Sequence, residues 1–392
     1  MVKMPTKEFK KSVQSNQEVS SYTHNFYKYP ARFSPVFARH AIKEFTEEND
    51  LVIDPFMGAG TSLIESALLN RQAVGSDINS LAHFLADVKT TIYRDKELKK
   101  IEDWLSQTIK NKTCHQEADE LKGWKEKGYL RHLFREDTWP IRKIIHLILS
   151  EVVNLKSKVQ QNFARCILLK TGQWALDSRQ NIPSVDKFRA RLLSHFSEMK
   201  EQAIKFREAL DEGGESLEEI ECLNLSAEKL VNHTTIQETE SPKLILTSPP
   251  YPGVHVLYHR WQIKGRKETP APYWIANRKD GQGESYYTLG YRRQPGLKDY
   301  FQNIENIYKS LSTIADSETT FVQLVGFSDK DWQLKKFLEV LEGVNLKEMK
   351  YENLSESDDG RLWRNVPNRK WYTSQKENIS SSNEVVLFHK VK

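Results

Sequence analysis

The apolar residues of the chain alternate between short continuous runs and helical spacing, and this alternation predicts its secondary-structure elements. Residues 51–53 form a short apolar run typical of a buried strand, and residues 62–70 (SLIESALLN) then show helical spacing. The same pair of patterns recurs at 73–77 and 80–89. This alternation of strand and helix predicts the beginning of a parallel, doubly wound sheet.

A long helical stretch interrupts the alternation. Residues 92–218 show helical periodicity and almost no strand pattern, whereas strand patterns return at 220–225, 243–247, 320–326 and 384–389. We therefore predict an α/β fold with a doubly wound, Rossmann-like, mostly parallel sheet and a large helical insertion. The predicted division is an N-terminal tail (1–20), a first half of the sheet domain (21–91), the insertion (92–218) and a second half (219–392).

Length and composition exclude several classes of protein. The chain has 392 residues, more than the ~250–300 at which single hydrophobic cores stop growing, which predicts two domains or one domain with a large insertion. The mean hydropathy of −0.64 and the shortness of the longest apolar stretch, 144–149, argue against a membrane protein, since a span needs ~18 apolar residues. The first 20 residues contain no apolar signal segment, so we expect a cytoplasmic protein.

The cysteines and histidines do not form a metal-binding pattern. Cys114, Cys166 and Cys222 are scattered without a CxxC spacing, which argues against disulfides and a structural zinc site. His255 and His259 have the spacing of a helical metal pair, but no third ligand is evident in the sequence. We expect reduced cysteines and no bound metal.

Positive charge is concentrated in two blocks, although the formal net charge is only +5. Residues 131–207 carry 15 Lys and Arg against 7 Asp and Glu, and residues 255–298 carry 9 against 3, interleaved with tyrosines and tryptophans. Cations neutralise phosphates and aromatic rings stack on unpaired bases, so both blocks suit nucleic-acid binding. A solvated helical face with core aromatics is the alternative interpretation.

A glycine-containing loop follows the first predicted strand. In an open α/β sheet ligands lie outside the carboxyl ends of the strands, where Asp54, Gly58, Gly60 and Asp77 fall. The glycines let a ligand approach the backbone at the start of a helix. Asp77 ends the second strand, where an acid accepts hydrogen bonds from ribose hydroxyls.

A stiff turn, Ser248-Pro249-Pro250-Tyr251, follows a later strand and therefore lies at the same edge of the sheet. Its prolines fix φ and remove two N–H donors. The Ser248 side chain and the Pro249 carbonyl can accept the two hydrogens of an exocyclic amine while Tyr251 stacks on the base. An ordinary Pro-Pro turn with a capping serine is the alternative.

Taken together, these motifs resemble motifs I, II and IV of the S-adenosylmethionine-dependent amino-methyltransferases of DNA. They are DPFMGAGT (54–61), VGSDIN (74–79) and TSPPY (247–251), and HNFYKYPARFSP resembles the segment before motif I that packs on the methionine end of the cofactor. The resemblance covers about 24–91 and 219–330, and implies a class I methyltransferase fold, S-adenosylmethionine as cofactor and Ser248, Pro249, Pro250 and Tyr251 as the catalytic turn. The implied cofactor contacts are Tyr29, Pro30, Ala31, Asp54, Pro55, Phe56, Gly58, Gly60, Thr61, Asp77, Ile78 and Ser226.

The details of the motifs refine what the resemblance implies. Serine at the first position of the catalytic turn is typical of N4-cytosine enzymes, whereas aspartate is commoner in N6-adenine ones. The motif order resembles the α arrangement, in which the insert is the target recognition domain. The chain departs from many relatives at Ser226, where they carry an aspartate that binds the adenine of the cofactor.

The function implied is methyl transfer to N4 of cytosine in double-stranded DNA by base flipping, with a cognate restriction endonuclease as a candidate partner. N6-adenine methylation, RNA methylation and a non-catalytic DNA-binding subunit are the alternatives. C5-cytosine methylation is excluded because no cysteine stands in a Pro-Cys context. Within a DNA-contacting loop (252–298) and the segment RLWRNVPNRKWY, the expected DNA contacts are Arg260, Tyr286, Tyr287, Arg292, Arg293, Arg364, Asn368 and Arg369.

Overall fold

The computed structural model describes residues 5–15, 21–29, 34–110, 120–211, 220–253, 260–265, 267–281, 287–290, 296–351, 354, 359–366 and 382–392. The described strands are β1 (Leu51–Asp54), β2 (Gln72–Ser76), β3 (Ile220–Leu223), β4 (Leu244–Thr247), β5 (Trp261–Ile263), β6 (Lys267–Thr269), β7 (Thr320–Gly326), β8 (Leu346–Met349), β9 (Leu362–Val366) and β10 (Ser382–Val391). The described α-helices are α1 (Lys7–Gln14), α2 (Pro35–Phe45), α3 (Thr61–Ala67), α4 (Ser80–Thr90), α5 (Asp95–Lys110), α6 (Glu120–Glu126), α7 (Trp139–Val152), α8 (Lys158–Leu176), α9 (Val185–Asp211), α10 (Thr234–Glu238), α11 (Ala271–Ala276), α12 (Gly296–Thr313) and α13 (Lys330–Gly343).

The main sheet confirms the predicted fold class. Its strand order is β3-β2-β1-β4-β7-β10-β8, with β9 paired to β10. The strands from β3 to β7 are parallel, and only β10 runs antiparallel to its neighbours. From β1 the chain continues to β2 and β3 on one side of β1, and then returns to β4 on its other side. The strand order therefore reverses between β1 and β4. A switch point of this kind is where open α/β sheets bind ligands.

Helices and aromatic side chains cover both faces of this sheet. One face packs against α12 and α13, with Ile53 and Phe321 in its core. The other packs against α1 and α2, with Val52 and Phe37 in its core. The buried strand positions explain why the strands read as continuous apolar runs.

Residues 7–14 correct the prediction of a tail over 1–20. They form helix α1, whose N-cap Thr6 accepts a hydrogen bond from the Phe9 backbone N–H. The Phe9 ring is fully buried and contacts Phe37 and Phe388. A short polar helix with one apolar face gives little signal in sequence, but it covers the sheet here.

The second body of the fold is helical. Helices α5 to α9 span 95–211 and share a core with α4 and with the aromatic segment around Phe26. No described helix combines the length and the apolar character needed to cross a membrane.

The segment 261–276 packs into this helical body, although we expected it within a DNA-contacting loop. Trp261 of β5 and Tyr273 of α11 are 1% and 0% exposed. Gly172 of α8 makes room for the Trp261 ring, because a Cβ there would lie 2.6 Å from Cη2 of the indole. Trp261 also donates from Nε1 to the hydroxyl of Tyr27 at 2.8 Å. The aromatic residues here are therefore core residues.

Candidate active site

Asp54 connects three elements at the switch point. Its carboxylate accepts hydrogen bonds from the Phe56 backbone N–H and from Oγ1 of Thr247, both at 3.1 Å, and from the hydroxyl of Ser62. The residue is 1% exposed, and burial raises its pKa to about 7. Asp54 thus ties the end of β1 to α3 and to the residue before the catalytic turn.

Asp77 lies at the end of β2 and faces the glycine loop. Its two carboxylate oxygens accept the backbone N–H groups of Gly58 at 3.1 Å and of Asn79 at 2.7 Å. Burial raises the pKa of this carboxyl to about 6. Gly58 has a φ of +52°, a conformation that favours glycine and that brings its N–H to the carboxylate.

This edge of the sheet fits an adenosyl group chemically. Each carboxylate oxygen of Asp77 can accept a second hydrogen bond, which is what a ribose diol would donate. Ser226 stands at the neighbouring strand end and begins a 3-10 turn over Ala227–Asn232 without a side-chain capping bond. The contacts of Asp77 and Ser226 with the nucleoside part of the cofactor stay predictions.

The other expected cofactor residues lie around the same loop. Tyr29 is 2% exposed and accepts a hydrogen bond from Nδ2 of Asn79 at 3.2 Å. Gly60 has a φ of +79°, and a Cβ there would lie 3.0 Å from Cβ of Ala86, so α4 packs directly on its backbone. Thr61 begins α3, and the Pro55 carbonyl accepts a hydrogen bond from the Ser76 hydroxyl. Phe56 and Ile78 are both partly buried. Pro30 and Ala31 lie outside the described residues.

The catalytic turn is braced from three neighbouring elements. Oγ of Ser248 donates to the carbonyl of Leu324 in β7 at 2.8 Å. The hydroxyl of Tyr300 in α12 donates to the Pro250 carbonyl at 2.8 Å. The hydroxyl of Ser328 donates to the carbonyl of Pro252, the residue after the turn, at 3.0 Å. These bonds fix the serine and the Pro250 carbonyl of the turn and the carbonyl of the residue that follows it.

The hydroxyl of Tyr251 donates to Oε1 of Glu384 in β10 at 2.8 Å. The hydroxyl oxygens of Ser248 and Tyr251 are 3.3 Å apart. Each hydroxyl has one hydrogen, and the Leu324 carbonyl and the Glu384 carboxylate, at 2.8 Å each, are closer acceptors for these hydrogens than the other hydroxyl is.

The Pro249 carbonyl accepts no hydrogen bond from the residues that the structure describes. This carbonyl and Oγ of Ser248 are thus two acceptors on adjacent residues of the turn that also contains Tyr251. A group that donates two hydrogens from one nitrogen, such as an exocyclic amine, matches these acceptors, whereas a carbonyl oxygen does not.

The described residues expected to contact DNA also have partners within the protein, and their contacts with DNA stay predictions. Arg260 pairs with Asp280 at 3.0 Å. Tyr287 is 4% exposed and donates to the same aspartate at 2.8 Å. Arg364 lies 4.0 Å from Glu384 with 14% of its side chain exposed. Tyr286, Arg292, Arg293, Asn368 and Arg369 lie outside the described residues.

Sequence reasoning missed Leu324, Tyr300 and Glu384. They lie 50 to 133 residues after their partners in the turn and reach it through the sheet. Glu384 alone left a signal, as a charged residue at the start of the apolar strand EVVLFH. Among the residues that the structure describes, no three His, Cys, Asp or Glu side chains converge as a metal site would require.

Comparisons with known proteins match part of this chain. A family model described as a DNA methylase matches residues 3–86. The chain is 32% identical over 87 residues to Type II methyltransferase M.MjaII of Methanocaldococcus jannaschii, covering 22% of this chain and 16% of that protein. It is also 32% identical over 101 residues to Type II methyltransferase M.MvaI of Kocuria varians, covering 25% and 22%.

The chain thus spans less than a quarter of the length of these curated relatives. Among solved structures, TrmN from Thermus thermophilus aligns with 91% of this chain and 49% of its own at 10% identity and a TM-score of 0.30, too low to support any conclusion. The family model and the curated relatives thus show that part of this chain is similar to DNA methyltransferases, over residues 3–86 for the family model.

Proposed function

We propose that this protein methylates the exocyclic N4 of cytosine in double-stranded DNA. The observation that carries the proposal is the pair of acceptors beside Tyr251, formed by Ser248 and the Pro249 carbonyl, with the serine hydrogen directed to Leu324. A serine held this way acts as an acceptor only, which suits an amine. The choice of cytosine over adenine rests on the resemblance of SPPY to N4-cytosine enzymes.

The roles of the residues follow from the geometry of methyl transfer. The cofactor supplies an activated methyl group. Ser248 and Pro249 would accept the two amine hydrogens, which draws the nitrogen towards a tetrahedral shape and aims its lone pair. Tyr251 would stack on the ring of the base. The methyl–sulfur bond of the cofactor would break as the N–C bond forms, and the surplus proton would then pass from the nitrogen to water. The site therefore needs no strong base, and alignment supplies most of the rate enhancement.

A base inside a duplex cannot reach this turn, so the proposal includes base flipping at a cost of a few kcal/mol. Contacts between the protein and the DNA backbone must offset that cost. We propose that the helical insertion makes them. Because two relatives bear the name of type II methyltransferases, we also propose that methylation protects the site from a cognate restriction endonuclease.

One cluster in the insertion supports this DNA-binding role. The guanidinium groups of Arg179 and Arg191 lie 4.6 and 5.1 Å from the ring centre of Trp174, at the end of α8. Neither arginine has a carboxylate partner among the described residues, in contrast to Lys205, which pairs with Glu201 at 2.6 Å. Arginines stacked on an indole without a neutralising acid are available to phosphates.

We expect Arg179→Ala with Arg191→Ala to weaken DNA binding by about 10- to 100-fold at low salt. If both contact phosphates, the slope of log Kd against log salt should also fall by about 2. Fluorescence anisotropy with a labelled duplex measures both quantities. Lys205→Ala on α9 is the matched control, and an unchanged salt slope in the double variant would place DNA on another surface.

The reaction itself is tested by incubating the protein with cofactor and unmethylated genomic DNA, followed by nucleoside mass spectrometry. We expect N4-methylcytosine. N6-methyladenine alone would refute the cytosine assignment but keep the amine chemistry. Methyl groups found only in RNA, or cofactor binding without any transfer, would refute the DNA methyltransferase proposal.

A further inference from the structure

Glu384 is a buried carboxylate beside the catalytic turn. It stands near the start of β10, paired in register with Arg364 of β9 and Gly326 of β7, and is 5% exposed. One oxygen accepts the Tyr251 hydroxyl at 2.8 Å, and the other lies 4.0 Å from Nη1 of Arg364. A buried charge next to the apolar residues 385–388 is costly unless it is paired.

The two hydroxyl groups of the turn have different acceptors for their hydrogens. Ser248 directs its hydrogen to the Leu324 carbonyl, and Tyr251 directs its hydrogen to Glu384. The two oxygens are only 3.3 Å apart, so Oγ of Ser248 lies within reach of the tyrosine hydrogen once the carboxylate is gone. A hydrogen placed there would occupy one of the two lone pairs of Oγ and would compete with the target amine for this oxygen.

We infer that Glu384 is a positioning residue that keeps Oγ of Ser248 open to the target amine by holding the hydroxyl hydrogen of Tyr251. The inference rests on the proposed function of the turn. It also explains selection by chemical class, because a base with a carbonyl oxygen at this position would meet only lone pairs. Glu384 itself need not touch the base.

A double-mutant cycle tests the inference. Glu384→Met removes the acceptor at similar volume, and Glu384→Asp keeps the charge opposite Arg364 but withdraws the carboxylate from the tyrosine hydroxyl. Each is made alone and in the Tyr251→Phe background, where no hydroxyl hydrogen exists. The readouts are kcat for methyl transfer to duplex DNA and the Kd for S-adenosylmethionine by calorimetry, which reports folding of the cofactor site.

With Tyr251 present, we expect both variants to lower kcat by about 10- to 100-fold without changing the Kd for the cofactor. In the Tyr251→Phe background the same changes should alter kcat less than twofold further. Glu384→Gln keeps an acceptor oxygen, so its kcat should be at least tenfold higher than that of Glu384→Met.

Equal losses in both backgrounds would overturn the inference, because Glu384 would then act without the tyrosine hydroxyl. Full activity of Glu384→Asp, or of Glu384→Met, would overturn it as well. These results differ from failure of the proposed function, in which the unsubstituted protein transfers no methyl group to cytosine in DNA. If Glu384→Met does not bind the cofactor, the Glu384→Asp cycle decides the matter.

Discussion

Replacing Ser248 by alanine should lower kcat for methyl transfer by about two to three orders of magnitude while the Kd for S-adenosylmethionine changes less than twofold. The serine oxygen is one of two acceptors at the proposed amine position, and its hydrogen is fixed on the Leu324 carbonyl at 2.8 Å. Loss of one preorganised hydrogen-bonding group in an active site typically costs a factor of ~10²–10³ in kcat. Single-turnover incorporation of a labelled methyl group into a duplex measures the effect.

Ser226→Ala is the matched control, because Ser226 follows β3 by three residues and is expected to contact the cofactor and not the amine. We expect it to raise the KM for the cofactor and to leave kcat within about threefold. An undiminished kcat in Ser248→Ala, with normal cofactor binding, would show that the amine is held by other groups and would refute the assignment of the catalytic turn.

The local parts of the fold and site were predictable from the sequence. The strands at 51–54, 72–76 and 244–247 are short apolar runs bounded by turns, so their period reports burial directly. Parallel strands bring their carboxyl ends to one edge, which is why Asp54, Asp77 and the turn after β4 could be expected together before any coordinates.

The parts that depend on distant pairing were not predictable. Trp261 packs over Gly172, and Glu384 meets Tyr251, through contacts between segments about 90 and 133 residues apart. The basic and aromatic composition of residues 255–298 predicts a nucleic-acid surface, but Tyr273, Tyr287 and Arg260 have hydroxyl and carboxylate partners inside the chain. The amino-acid composition of a segment shows which charged and aromatic groups are present. Only the tertiary fold decides which of these groups are paired with one another.

Asp54 should make the protein less stable as the pH rises, and Asp54→Asn should remove that dependence. In the folded chain burial raises the pKa of this carboxyl from 3.8 to about 7. The folded state therefore keeps a proton that the unfolded state has already lost, and stability that is fully present below pH ~4 is lost as the pH rises through 7. A shift of this size corresponds to at most about 4 kcal/mol.

Asparagine at position 54 is uncharged throughout and can still accept from the Phe56 N–H and Thr247 while donating to Ser62. Relative to the unsubstituted protein, Asp54→Asn should gain stability between pH 5 and pH 8, measured by urea unfolding with linear extrapolation. The buried His389, whose pKa burial lowers to about 4, changes stability in the opposite direction between pH 4 and 6.5, but it is common to both proteins and cancels in the difference. Asp95→Asn, at a side chain that is 78% exposed, controls for the loss of a carboxylate. A stability difference for Asp54→Asn that does not change with pH would mean that Asp54 is ionised in the folded protein throughout this range, and that its three hydrogen bonds outweigh its burial.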